Sequence, residues 1–214
     1  MSFLLYQLAD SAFPTGGFAH SGGLEAAVQA SEVSDISAWL REAIVAIGHG
    51  ALPFVSAVYE PATPPAAGVS PRSHDFTEVD AACDVFLTSA VANRASRTQG
   101  RALLDTCRRI FHLDVPRAGH HAPAFGACAR ALKVTESDAR RVFLHLSIRG
   151  LASAAVRLGV IGPHRAQAIH FELHDALEDI ANTRIAMEDA ALTSPLQELF
   201  GSTHDRLYSR LFQS

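Results

Sequence analysis

Apolar residues recur along this chain at intervals of three and four, the period of a helix with one buried face. Ile36, Leu40, Ile44 and Ile47 keep that spacing behind Ser34 and Asp35, either of which can cap a helix ending near Gly48. The same reading predicts short helices over Phe3–Ala9, Leu24–Ser31 and Pro53–Tyr59. A helix starts at Asp75 or Thr77, with Val79, Val85, Phe86 and Leu87 mostly inward, and a longer one covers Ala92–Phe111. After a loop over His112–Ala122, helices are expected at Ala124–Leu132 and Thr135–Leu158. Thr135-x-x-Asp138 opens the second of these as an acidic variant of a capping box. Gly159 stops it, and Gly162-Pro163 opens a helix expected to run to about Ala190, with proline at its first position. Ser194-Pro195 begins a short last helix, and Gly201–Ser214 forms a tail. No segment alternates as a half-buried strand does, and no fixed-period repeat is present, so the fold class is all-α: a single helical bundle over residues 1–214. Its core is expected between residues 35 and 190.

Composition agrees. Apolar residues make up 48% of the chain but aromatics only 7%, so alanine and leucine carry the apolar content and favour helix-on-helix packing. At 214 residues one domain with a sizeable core is expected. Residues 61–73 hold four prolines and read as an excursion rather than a domain boundary, because helical pattern resumes directly after them. A net charge of −4 gives no general attraction to nucleic acid or anionic membrane. Three widely spaced cysteines without a CxxC pair argue against a disulfide framework or structural zinc. The N-terminus lacks a secretory pattern, and the longest apolar region is interrupted by His49 and Pro53, so a cytoplasmic location is expected.

The segment from Leu4 to Glu25 is the most unusual. An apolar stretch runs into Asp10-Ser11, and a loop rich in glycine follows, carrying Phe13, Pro14, Phe18 and His20 in place of solvating side chains. Such a loop packs on its own domain or meets a partner. Three catalytic readings weigh less than that of a structured loop. The glycines from Gly17 resemble a phosphate loop, but Gly23-Leu24 stands where Lys-Ser/Thr is required. Ala19-His20-Ser21-Gly22-Gly23 mimics a nucleophile elbow without the preceding strand. His20 beside Ser21 could be an acid–base pair, but adjacent residues seldom point at each other. A small hydrolase using Ser21 or His20 remains the alternative enzyme reading.

Three further blocks join this one. Val91 to Arg101 contains Arg94, Ser96, Gln99 and Arg101; Ser153 to Leu158, followed by Gly162, contains Arg157; the chain ends His204-Asp205-Arg206-Leu207-Tyr208-Ser209-Arg210-Leu211-Phe212-Gln213-Ser214. The four together, in order, resemble the UreF family of urease accessory proteins. Asn93 departs from the pattern, standing where many members carry Glu. The resemblance implies an all-α protein without catalytic chemistry of its own. It implies a homodimeric chaperone bridging a UreD (UreH) protein and the GTPase UreG on apo-urease, for GTP-dependent nickel insertion. No cofactor is then expected to bind tightly, because nickel and GTP act through the partners.

Partner-binding residues expected on this basis are Phe13, Pro14, Phe18, His20, Ser21, Glu25, Arg94, Ser96, Gln99, Arg101, Arg157, Leu207, Tyr208, Arg210, Leu211 and Phe212. Arg94, Arg97 and Arg101, at i, i+3 and i+7, form one basic stripe suited to an acidic partner. Leu207, Tyr208, Leu211 and Phe212 crowd the tail, which is expected to dock in a partner's groove. Eleven histidines raise a second alternative, a nickel carrier in which His170 and His174, at i and i+4, share one metal. Scattered surface or core histidines are the simpler account, and no metal site is assigned.

Overall fold

A computed structural model describes residues 3–14, 17–59 and 75–213, apart from the side chain of Phe18. The proline-rich stretch at 61–73 lies outside the described residues. The helices are α1 (Phe3–Leu8), α2 (Leu24–Gln29), α3 (Ile36–Gly50), α4 (Leu52–Ala57), α5 (Phe76–Phe86), α6 (Ala90–Phe111), α7 (His121–Ala131), α8 (Glu136–Arg157), α9 (Pro163–Glu172), α10 (His174–Asn182) and α11 (Pro195–Thr203). No strand occurs among the described residues, so the all-α expectation holds.

Local chemistry sets several boundaries. The Asp35 carboxylate accepts from the Ser37 and Ala38 amides at 2.8 and 3.2 Å, and Thr135 Oγ1 accepts from the Asp138 amide at 3.1 Å. These bonds satisfy donors that the first helical turn leaves without partners. The expected helix from Pro163 to about Ala190 instead breaks at Leu173 and ends at Asn182. A buried arginine holds that end: Arg140 of α8 donates to the Ala181 oxygen at 2.8 Å, the Ile180 oxygen at 3.1 Å and the Thr183 oxygen. It also donates to Ser56 Oγ at 2.6 Å. Exposed carbonyls at a helix C-terminus attract such a cation.

Two hydrophobic clusters share α8. Phe143 and Leu144, in its first half, pack with Phe54, Leu103, Leu104 and Phe125. Ile148 and Leu151, in its second half, pack with Leu24, Leu40, Ile44 and Ile169. A helix apolar over much of its circumference belongs in the interior. The core reaches beyond residues 35–190, since it includes Leu5, Leu8, Leu24 and Phe212. Val85, expected inward, is 80% exposed, because Val79 and Cys83 define the buried face of α5.

Gly100 of α6 lets the backbone leading into α7 approach closely. A Cβ there would stand 2.1 Å from the Gly119 oxygen. Only glycine allows that approach.

Candidate partner-binding site

The N-terminal loop and the C-terminal tail meet at Glu25. Gly22 and Gly23 precede it with φ of 60° and 86°, turning the chain sharply into α2. A Cβ on Gly23 would also lie 2.8 Å from the Gly201 amide of α11, so backbone freedom and close packing both require glycine. Ser21 Oγ then accepts from the Glu25 amide at 3.4 Å.

Glu25 is only 2% exposed. A carboxylate so placed is very costly unless its oxygens receive hydrogen bonds. His204 Nε2 donates at 2.8 Å, the Leu211 amide at 2.6 Å and the Phe212 amide at 3.1 Å. Both tail amides thus close on a side chain of the second helix. The Gln213 amide donates to the Ala19 oxygen at 2.8 Å, and Gln29 Nε2 donates to the Ser209 oxygen at 3.0 Å. Phe212 enters the core, with the Arg157 guanidinium 4.2 Å from its ring centre. Arg94 pairs with Asp205 at 3.5 Å on the flank. The four sequence blocks therefore converge on one clasp.

A model of the UreF family matches residues 31–174. Urease accessory protein F of Arabidopsis thaliana is 31% identical over 100% of this chain and 93% of its own length. Urease accessory protein UreF of Mycolicibacterium vanbaalenii is 33% identical over 98% and 97%. The chain belongs to the UreF family. An uncharacterized urease accessory protein UreF-like of Schizosaccharomyces pombe is 28% identical over 97% and 94%. The family match lies between the two halves of the clasp, whereas these relatives align over nearly the whole chain, clasp included. Membership places the chain in the accessory apparatus of urease.

This UreF protein distributes the expected contact residues unevenly. Tyr208 is fully exposed, Leu211 is 52% exposed, and Arg210 is exposed beside them. Leu207 is half-buried. Ser21, Glu25 and Phe212, expected on a contact surface, are buried by their own chain. For Glu25 and Phe212 the physical reason is that the tail's amides and phenyl ring find a carboxylate and an apolar slot within the bundle, while Ser21 Oγ accepts from the Glu25 amide. Phe13 stacks on Phe111, with ring centres 5.9 Å apart, while exposed Pro14 offers its carbonyl to Thr106 Oγ1 at 2.9 Å. His20 is half-buried, and burial, then His204, holds its imidazole below the usual histidine value. The Phe18 side chain lies outside the described residues.

The basic stripe is largely used internally. Arg97 pairs with Asp84 at 2.6 Å and Arg94 with Asp205, leaving Arg101 exposed. Gln99 is half-buried. Ser96 Oγ accepts from the His121 amide at 3.1 Å and meets Nδ1 of the fully buried His120, also at 3.1 Å. The other imidazole nitrogen donates to Asp84 at 3.1 Å. Asn93 Nδ2 joins at 2.8 Å. Hydrogen bonds from Asn93, Arg97 and His120, in that order, bring the Asp84 carboxyl down to about 2. Asp84 and His204 were not among the residues expected from sequence. Nothing in their spacing shows which distant side chain completes them.

His170 and His174 fall on either side of the break at Leu173, and His170 stacks on His145 with ring centres 5.2 Å apart. Among the described residues no group of three or more His, Cys, Asp or Glu side chains is arranged to hold a metal ion. No described helix is long and apolar enough to cross a membrane. The three cysteines are buried free thiols.

Proposed function

We propose that this chain works without catalysis of its own, as a homodimeric cytoplasmic adaptor in urease maturation. It bridges a UreD (UreH)-like protein and a UreG-like GTPase on apo-urease, and GTP hydrolysis on the GTPase accompanies nickel insertion. Nickel is cargo in this reading, and GTP belongs to the partner. The observation that carries it is the clasp, which fixes the tail by its backbone and leaves Tyr208, Arg210 and Leu211 facing outward. Tyrosine, arginine and leucine on a rigid support suit a protein interface, because little side-chain and backbone freedom is left to lose on binding. A Ser21 nucleophile fits poorly, since the residue is fully buried and its Oγ already accepts from the Glu25 amide.

Co-purification with a UreD-like and a UreG-like protein from the same source tests this. Recovery of all three in one complex is the expected result. Failure to recover either partner under conditions where the two partners are themselves soluble overturns the bridging role.

A further inference from the structure

Between α3, α6 and α11 lies an open cleft of about 310 Å³, at the lower end of the roughly 300–1,000 Å³ typical of ligand pockets. Its walls are mainly apolar, with Ile47 from α3, Ala92 and Ala95 from α6, and Leu192 ahead of α11. Glu198, in the first turn of α11, also lines it and is half-buried there. Its carboxylate has no hydrogen bond or ion pair among the described residues, and burial alone pushes its pKa upward. The other titratable groups of the lining supply no counter-charge. His20 and His121 are held below the usual histidine value by burial, and the Cys83 thiol is pushed up to about 12. Glu198 is thus the acidic residue of the lining, without a basic side chain among the lining residues.

We propose that this cleft receives one basic side chain, an arginine or lysine carried on an apolar segment of a partner protein, with the Glu198 carboxylate as its counter-ion. The aliphatic stem would cover the alanine and leucine walls while the cationic head meets the carboxylate. Exposed Leu196 and Leu199 on the same helix extend the apolar surface beyond the cleft, where the flanking residues of such a segment would lie. Charge complementarity selects this occupant over a purely apolar one, which would leave a half-buried carboxylate unpaired. The inference goes beyond the assignment to urease maturation and holds whichever protein carries the basic residue.

The test titrates the isotope-labelled full chain with n-butylguanidinium chloride, and separately with n-butanol, following the amide resonances of Ala95 and Glu198. The guanidinium probe should produce saturable shifts that weaken with added salt. Glu198→Gln should reduce its affinity about tenfold while leaving the butanol response unchanged. Ala95→Leu, which narrows the cleft from α6 without touching the charge, should weaken the guanidinium probe while leaving the rest of the amide spectrum in place. Absence of saturable shifts, or equal affinity in both variants and the parent, overturns the proposal. So does a loss of self-association in Glu198→Gln by sedimentation, which would assign the cleft to a second copy of the chain.

Discussion

Glu25 sits where one atom changes the outcome. Replacing it with glutamine keeps its shape but puts an amide group where a carboxylate oxygen accepts hydrogen bonds from the tail. A hydrogen bond to a charged group is worth about 1.5–3 kcal/mol, so Glu25→Gln should loosen the tail while the helices persist. Limited trypsin digestion checks this: faster cleavage at Arg206 or Arg210 with unchanged helical circular dichroism is expected. A second prediction concerns Asn93, which donates to Asp84. Asn93→Glu should lower stability by about 1 kcal/mol, since like charges that meet directly are destabilising, and denaturant melts would detect it. Glu25 was legible in the sequence as part of a motif, but its role was not. Its partners lie 179 to 187 positions away, and only the folded topology brings them together.

Helices were the most legible elements, because each depends on local spacing and caps. Asp35, Thr135, Gly162-Pro163 and Ser194-Pro195 all stand at helix starts, as expected. The break at Leu173 was not legible, and neither was the buried Arg140 that bonds the carbonyls at the C-terminal end of α10, a tertiary contact with no local sign. The tail shows a similar limit. Of its apolar residues Phe212 fills a slot of the chain itself, Leu207 is half-buried, and Tyr208 and Leu211 stay exposed, a division that pattern alone does not show. Deleting Arg206–Ser214 removes a core phenylalanine, and Phe→Ala changes in cores cost about 3–5 kcal/mol. The truncated chain should therefore melt well below the parent in calorimetry. Tyr208→Ala, at an exposed side chain, should leave the melting temperature within about a degree, consistent with effects near 0.5 kcal/mol at such sites. Gly100→Ala should be far more damaging than any exposed change on α6, since its Cβ would meet the Gly119 backbone. Thermal melts of the two α6 classes compare them directly.

At the scale of the molecule, half-buried histidines give stability a pH dependence. Burial, then His20, lowers His121 to about 4, and His20, His145 and His170 are also lowered, chiefly by burial. Above the unfolded value of about 6.5 these groups are neutral in both states. As pH falls below it, the unfolded chain takes up protons that the folded chain does not, so stability declines. For His121 the window runs from about 6.5 down to about 4, on the order of 3 kcal/mol in all and roughly 2 kcal/mol by pH 5. Calorimetry at pH 7.5 and 5 should show the loss, and His121→Gln should flatten it. The family and the four motif blocks were legible from sequence over the whole chain, whereas the division between clasped and outward residues needed the fold. That division underlies the central claim, that the clasped tail presents a partner surface for urease maturation. Urease activity in cells lacking their own UreF protein, complemented by this chain or by its Tyr208→Ala, Leu211→Ala double variant, tests it most directly. The account predicts activity restored by the parent and largely lost with the double variant, at equal soluble protein levels. Equal activity from both chains would contradict it.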